Sequence, residues 1–244
     1  MYGLIGKKLG HSYSADFFNK KFKEECIDES YQLFELPTIE DFPRLIKENP
    51  QIEGLNVTIP YKESVIQFLD SLADEAIEIG AVNVIKVNKD GEEEWLKGYN
   101  TDAIGFKESI TPLLRKDITH ALVLGSGGAS KAVVYALTKL GITPRIVSRN
   151  PSGDRLGYDD LVEATFRKYK LIVNATPIGM YPAVDDYPPI PYQYITEENV
   201  CFDLIYNPEE TAFMKKCKQQ GAVVKNGYEM WYLQALATWN IWNA

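Results

Sequence analysis

Short apolar runs of strand length alternate with stretches of helical periodicity along the chain. Residues 2–5 are followed by a helical pattern over 15–26, residues 31–36 by one over 39–47, and residues 54–59 by one over 63–69, with a further strand at 82–87. A second series has strands at 120–124, 143–147, 171–174, 200–204 and 222–224, interleaved with helices at 130–140, 209–219 and from about Tyr228. This alternation predicts mainly parallel sheets covered by helices, because a parallel connection needs a crossover element. Two series predict two α/β lobes, 1–102 and 103–226, joined through a helix at about 101–115, with a last helix, 227–244, returning to the first lobe. Ligands of open α/β sheets sit at strand carboxyl ends and domain interfaces, so the cleft between the lobes is the expected site.

Composition narrows the partners. The 244 residues hold 34 acidic against 26 basic side chains, a formal net charge of −8, with 45% hydrophobic and 25% charged residues. No basic stripe offers phosphate contacts, which excludes nucleic acid and an anionic membrane as expected partners and leaves a small molecule. No apolar stretch approaches a membrane span, and Met1–Gly6 meets Lys7 and Lys8 before any run of signal-peptide length, so the expectation is a cytoplasmic protein, monomer or homodimer. Cys26, Cys201 and Cys217 form no Cys-x-x-Cys pair, and His11 and His120 are the only histidines, so neither a disulfide framework nor a metal site is expected.

The clearest chemical signal follows the strand Ala121-Leu122-Val123-Leu124. There Gly125-Ser126-Gly127-Gly128-Ala129-Ser130 leads into an apolar helix. Strand, glycine turn and helix N-terminus aim backbone N–H groups and the positive helix end at an anion, as a dinucleotide pyrophosphate requires, although Ser130 replaces the third fingerprint glycine. Chain reversal alone is the plain alternative. Arg149 stands 24 residues after Gly125, at the end of the next strand, where the ribose-reading residue falls. Ser148-Arg149-Asn150 offers a cation to a 2′-phosphate, which favours NADP(H), while Asp154 nearby would draw the preference to NAD(H) if it turned inward. Arg149 as a solvated surface charge is the other reading.

Candidate acid–base groups occur where polar residues follow apolar strands. Asn56, Thr58 and Lys62 lie in Gly54-Leu55-Asn56-Val57-Thr58-Ile59-Pro60-Tyr61-Lys62, Asn83 ends Gly80-Ala81-Val82-Asn83, and Asp102 ends Gly98-Tyr99-Asn100-Thr101-Asp102. Taken singly, Lys62 reads as a surface lysine and Asp102 as a helix cap. Tyr135-x-x-x-Lys139 has the spacing of a phenolate base and its lysine, but on the helix directly after the glycine turn it lies at the wrong end of a dinucleotide.

Together with Gly10-His11-Ser12-Tyr13-Ser14, Asn174-Ala175-Thr176-Pro177-Ile178-Gly179-Met180 and Asp203-Leu204-Ile205-Tyr206, these motifs resemble, in order and over nearly the whole chain, the shikimate dehydrogenase family. The resemblance implies an α/β substrate domain, a Rossmann-type NADP domain, and reversible NADPH-dependent reduction of 3-dehydroshikimate to shikimate in the chorismate route to aromatic amino acids. It implies that Ser12 and Ser14 hold the substrate carboxylate. It assigns carboxylate or ring hydroxyls to Thr58, Asn83, Tyr206 and Gln234, and sets Lys62 and Asp102 at the reacting oxygen. On the cofactor side it implies Gly125, Ser126, Gly127, Gly128 and Ala129 at the pyrophosphate, Ser148, Arg149 and Asn150 at the 2′-phosphate, and Thr176, Leu204, Gly227 and Met230 near ribose and nicotinamide. Two departures stand out: Gly153 occupies the position of a second phosphate cation, and the short Asn150-to-Asn174 segment predicts a reduced or missing helix. The alternatives are a quinate-preferring relative using NAD and a non-catalytic shikimate-binding protein on the same scaffold.

Overall fold

The computed structural model describes residues 1–10, 12–91 and 93–244; His11, part of the first motif, lies outside the described residues. The chain divides into two compact units, Met1–Thr101 with Ala235–Ala244, and Asp102–Gln234.

The first unit contains β1 (Tyr2–Gly6), α1 (Tyr13–Glu24), β2 (Tyr31–Glu35), α2 (Phe42–Glu48), β3 (Gly54–Val57), β4 (Ser71–Leu72), α3 (Asp74–Ile79), β5 (Val84–Asp90) and β6 (Glu93–Tyr99). Its sheet runs β2-β1-β3-β5-β6-β4. β1 pairs in parallel with β2 and β3, through Tyr2 against Tyr31 and Gly54. β5 is antiparallel to both β3 and β6, so the expected parallel arrangement gives way here to a mixed sheet. For β5 and β6 the cause is local: adjacent antiparallel strands need only a short turn, and Gly91, at φ +63°, follows β5 directly. One core packs Ile5, Leu55, Val57, Phe42 and Ile85. Another gathers Tyr2, Phe18, Phe22 and Tyr31 with Ala235 and Trp242 of the closing helix. Phe18 and Phe22, four residues apart, form the buried face of α1.

The second unit contains α4 (Asp102–Ile110), β7 (His120–Leu124), α5 (Gly128–Lys139), β8 (Thr143–Val147), α6 (Glu163–Lys168), β9 (Leu171–Asn174), β10 (Val200–Asp203), α7 (Ala212–Gln219), β11 (Val223–Lys225) and the start of α8 (Tyr228–Trp242). The sheet order is β11-β10-β9-β7-β8, and all four pairings are parallel. Apart from His120 and Asn174 at their ends, its central strands β7 and β9 are apolar and buried, as a sheet covered on both faces demands. The order reverses at β7, whose neighbours are β8 and β9, and ligand crevices form at such a switch point. The reduced segment is visible: between β8 and β9 there is only the six-residue α6 and a 3₁₀ turn at Tyr158–Asp160, and Leu156 makes one isolated parallel bridge to Val147 where a further strand would run. Gly105 on α4 backs directly on to Met230 and Gln234, so the first turns of α8 pack with the second unit. No helix among the described residues is long and apolar enough to cross a membrane.

Candidate active site

In the first unit the polar candidates collect where β1 and β3 end. The Thr58 N–H donates to the Ile5 carbonyl at 2.9 Å and the Val57 N–H to the Asn83 carbonyl at 2.9 Å, so residues 58 and 83 leave the sheet together. Gly6 closes β1, and a Cβ there would lie 2.6 Å from Leu9 and 2.7 Å from the Thr58 methyl. The end of β1 therefore lies against Thr58. The loop after it delivers Ser12, whose hydroxyl caps α1 by accepting from the Ala15 N–H at 3.4 Å, and then Ser14 in the first helical turn. Lys62 follows the cis Ile59–Pro60 bond on a turn whose carbonyl accepts from the Val82 N–H at 2.7 Å. That bond holds half-buried Lys62 beside the residue preceding Asn83.

Below these groups lies a buried polar network. The Tyr31 hydroxyl donates to Asn56 Oδ1 at 2.8 Å, and Asn56 Nδ2 donates to the Asn83 carbonyl at 3.3 Å. Asn83 Oδ1 accepts from the Thr101 N–H at 2.7 Å, Asn83 Nδ2 donates to the Thr101 hydroxyl at 3.0 Å, and the hydroxyls of Thr101 and Thr238 lie 3.1 Å apart. Such a satisfied buried network fixes one arrangement of its members. Asp102 comes next in the chain, buried as the opening residue of α4, where the helix dipole favours a carboxylate. Thr101 and Thr238 carry no signal of their own in the sequence.

In the second unit the turns after β7, β9 and β10 are knitted together. The Gly125 N–H donates to the Val147 carbonyl at 2.9 Å, the Ala175 N–H to Leu124 at 2.9 Å, and the Leu204 N–H to Asn174 at 3.0 Å. Gly125 has φ +108°, and a Cβ there would stand 3.0 Å from the Ala175 carbonyl and from the Thr176 methyl. Ser130, in place of the third fingerprint glycine, donates its hydroxyl to the Gly125 carbonyl at 2.7 Å and so ties α5 to the turn. Above Gly127 nothing lies within 4 Å of a would-be Cβ. Open space, the N-terminus of the twelve-residue α5 with Gly128 and Ala129 in its first turn, the Ser126 hydroxyl, and no carboxylate in residues 125–130 fit a diphosphate group.

Ser148, Arg149 and Asn150 follow β8, with Arg149 and Asn150 exposed. The Arg149 charge reaches Tyr158, partly offsetting the upward push that burial gives that phenol. Asp154 is engaged elsewhere: its carboxylate pairs with Arg145 at 3.3 Å on the outside of the lobe. Tyr206 packs its half-buried ring on Trp231, centroids 5.7 Å apart. Gly227 donates its N–H to the Ile205 carbonyl at 3.0 Å and presses on the Leu204 carbonyl so closely that no side chain fits. Met230 and Gln234, both buried, lie on α8, which begins directly after Gly227. Tyr135 and Lys139 form a cation–π pair at 4.9 Å on α5. Among the described residues no cluster of three His, Cys, Asp or Glu side chains has the arrangement of metal ligands.

Residues 4–85 match the family described as the shikimate dehydrogenase substrate binding domain. To the shikimate dehydrogenase (NADP(+)) of Clostridium beijerinckii the chain is 41% identical, over 99% of its own length and 91% of that protein's. The chain belongs to the shikimate dehydrogenase family. The solved shikimate dehydrogenase from Aquifex aeolicus matches with a TM-score of 0.87 at 34% identity, covering 99% of this chain and 91% of that one. The shikimate 5-dehydrogenase from Thermus thermophilus, solved with NADP(H) and shikimate, matches with a TM-score of 0.85 at 30% identity, covering 99% and 92%.

One group within the shikimate dehydrogenase scaffold of this chain was legible only as a motif letter. Asp203 is fully buried, and burial pushes its carboxyl up to about 7 against the opposing pull of hydrogen bonds from Thr211, Ile205 and Asn174.

Proposed function

We propose that this chain is a shikimate dehydrogenase, catalysing the reversible reduction of 3-dehydroshikimate to shikimate with NADPH. The observation that carries the reading is the pairing of a full-length family match with a glycine turn that keeps open space above Gly127 at the head of α5. The bound nicotinamide supplies or accepts the hydride. Everything else falls to side chains of this chain.

Ser12 and Ser14 hold the substrate carboxylate through hydroxyl hydrogen bonds, a site built without arginine. Thr58, Asn83, Tyr206 and Gln234 orient the ring through its hydroxyls and carboxylate. Lys62 faces the oxygen at the reacting carbon. As the carbonyl is reduced, negative charge grows on that oxygen; the ammonium stabilises it and delivers the proton, and in the oxidative direction the amine takes it back. Asp102 receives the hydroxyl and keeps Lys62 aimed, which its place directly after the fixed Thr101 supports. Gly125, Ser126, Gly127, Gly128 and Ala129 hold the diphosphate; Ser148, Arg149 and Asn150 hold the 2′-phosphate; and Thr176, Leu204, Gly227 and Met230 border the ribose and nicotinamide.

NADP over NAD is supported by the pairing of Asp154 with Arg145, which occupies the carboxylate that would repel a 2′-phosphate. The acidic balance supports a small-molecule substrate over nucleic-acid or membrane partners, and a cytoplasmic monomer or homodimer belongs to the same proposal. A steady-state assay of shikimate and quinate, each with NADP and NAD, tests the reading by dihydropyridine absorbance. Turnover of shikimate with NADP is expected to dominate. Tight shikimate binding without turnover under either cofactor would sink it in favour of a binding protein.

A further inference from the structure

Three turns of the second unit converge on a single buried side chain. Asp203, the last residue of β10, accepts from the Ile205 N–H at 3.1 Å and from Asn174 Nδ2 at 3.0 Å through Oδ1, and from the Thr211 hydroxyl at 2.6 Å through Oδ2. Asn174 passes the constraint on: its Oδ1 accepts from both the N–H of Thr176, at 3.1 Å, and the Thr176 hydroxyl, at 2.6 Å. The Thr176 hydroxyl in turn accepts from the Ile178 N–H at 3.3 Å. Thr211 closes the other side by capping α7 through the Met214 N–H at 3.2 Å. One carboxylate thus sets the turn after β9, the turn after β10 and the start of α7.

We propose that Asp203 is a positioning residue for the nicotinamide side of the site. It holds Thr176 through Asn174, and Leu204 to Tyr206 through the Ile205 N–H, while touching neither substrate nor cofactor itself. This rests on the proposed function, in which Thr176 and Leu204 border the nicotinamide and Tyr206 meets the substrate. A desolvated carboxylate is a costly choice for a part that only fills space. Its two oxygens let two donors on one and a third on the other be satisfied at once.

The glycine turn and Arg149 make none of these bonds, which separates the two halves of the cofactor experimentally. The fragment 2′,5′-ADP carries a single 5′-phosphate and the 2′-phosphate, so it needs only the glycine turn and the residues after β8, whereas NADP also needs the 174–178 and 203–206 turns. Asp203→Ala is expected to lower kcat at least tenfold and to weaken NADP at least tenfold, with 2′,5′-ADP affinity by calorimetry held within twofold. Asp203→Asn keeps the Oδ1 bonds and lets Thr211 turn to accept, so it is expected to recover most of both losses. If Asp203→Ala does not fold, Thr211→Val and Thr211→Ser serve instead, with loss expected in the first and near-wild-type behaviour in the second.

The proposal is overturned if folded Asp203→Ala, or Thr211→Val in its place, keeps kcat and the ratio of NADP to 2′,5′-ADP affinity within twofold of wild type. It is equally overturned if both ligands weaken in proportion, the mark of a merely structural role. Should the wild-type chain leave shikimate untouched, the proposed function falls, while the affinity ratio still reads whether Asp203 sets the turns.

Discussion

Asn83 and Thr101 are joined twice, Oδ1 accepting the Thr101 backbone N–H at 2.7 Å and Nδ2 donating to its hydroxyl at 3.0 Å. The pair couples the end of the β3 neighbourhood, where Thr58 and Lys62 lie, to the residue that precedes Asp102. Asn83, proposed to orient the substrate, is thus bonded to the residue next to Asp102, the proposed partner of Lys62. Thr101→Val removes a hydroxyl to which Asn83 donates and which lies beside Thr238, both inside the fold. Loss of about 1–3 kcal/mol of stability is expected from the orphaned partners. Because Asp102 loses its register, kcat/KM for shikimate falls as well. Urea unfolding and steady-state rates on the same preparation check both, and a full-rate variant would detach this network from the reaction.

Lys62→Ala tests the proton donor directly. A positioned general acid contributes about 10²–10⁴-fold, so kcat is expected to fall by at least about a hundredfold while KM for shikimate stays within a few-fold. The split matters, since the carboxylate and ring contacts assigned to Ser12, Ser14 and Asn83 survive. An alanine variant with near-wild-type turnover removes Lys62 from the mechanism.

For the cofactor preference the variant is Arg149→Ala. A charge-assisted hydrogen bond to phosphate contributes about 1.5–3 kcal/mol, which is roughly tenfold to a hundredfold in affinity. KM for NADP should rise by that factor, with KM for NAD unchanged. An equal loss for both would mean that Arg149 serves the loop rather than the 2′-phosphate. Gly153 leaves Arg149 without the second cation, so the effect of this one substitution should be correspondingly large.

What the sequence made legible, and what it hid, follows from the range of the interactions. β1, β3, β7 and β9 stand out because most of their residues are apolar and their sheets bury them. β6 was hidden: its first three residues are exposed and only Gly98 is fully buried, so Glu93–Tyr99 has no strand-like apolar run. The glycine turn and the residues after β3 announce themselves through local spacing. The contacts from Asn56 and Thr101 to Thr238 do not, since they cross 182 and 137 residues of chain and join residue types found anywhere on a surface. Asp203 was visible as part of a motif, but its burial and its three donors exist only once β9, β10 and α7 have come together.

Asp203 also makes a prediction about stability. Its carboxyl, ordinarily near 3.8, rises to about 7 in the folded protein. A raised value means that the native state holds this proton more tightly than the unfolded chain. The resulting stabilisation is fully present below about pH 4 and is lost as pH rises through about 7. The buried neighbours Tyr192 and Cys217, both pushed up by burial, stay neutral across this window. Asp203→Asn has no proton to lose. Relative to it, the wild type is expected to lose stability between pH 4 and 7, by up to about 4 kcal/mol. Urea midpoints across that range measure the difference, and parallel curves for the two proteins would show that the carboxyl is not titrating there.

Two glycines make opposite demands, and exchanging each for alanine separates packing from binding. Gly227 lies against the Leu204 carbonyl, where a Cβ has no room and the obstacle is backbone, which does not rotate away. Gly227→Ala must push the turn after β10 or the head of α8, so stability should fall by more than about 1 kcal/mol, as overpacking does, with Leu204 displaced and turnover reduced. Gly127 has φ −85° and nothing within 4 Å, so Gly127→Ala suits the backbone and costs at most about 1 kcal/mol, the difference between glycine and alanine at a helix N-cap. Its methyl, however, enters the space reserved for the diphosphate. NADP should weaken at least tenfold in a protein that unfolds almost like wild type. Thermal unfolding alongside calorimetry distinguishes the two substitutions, and a Gly127→Ala protein that binds NADP normally would show that the open turn is not where the diphosphate sits.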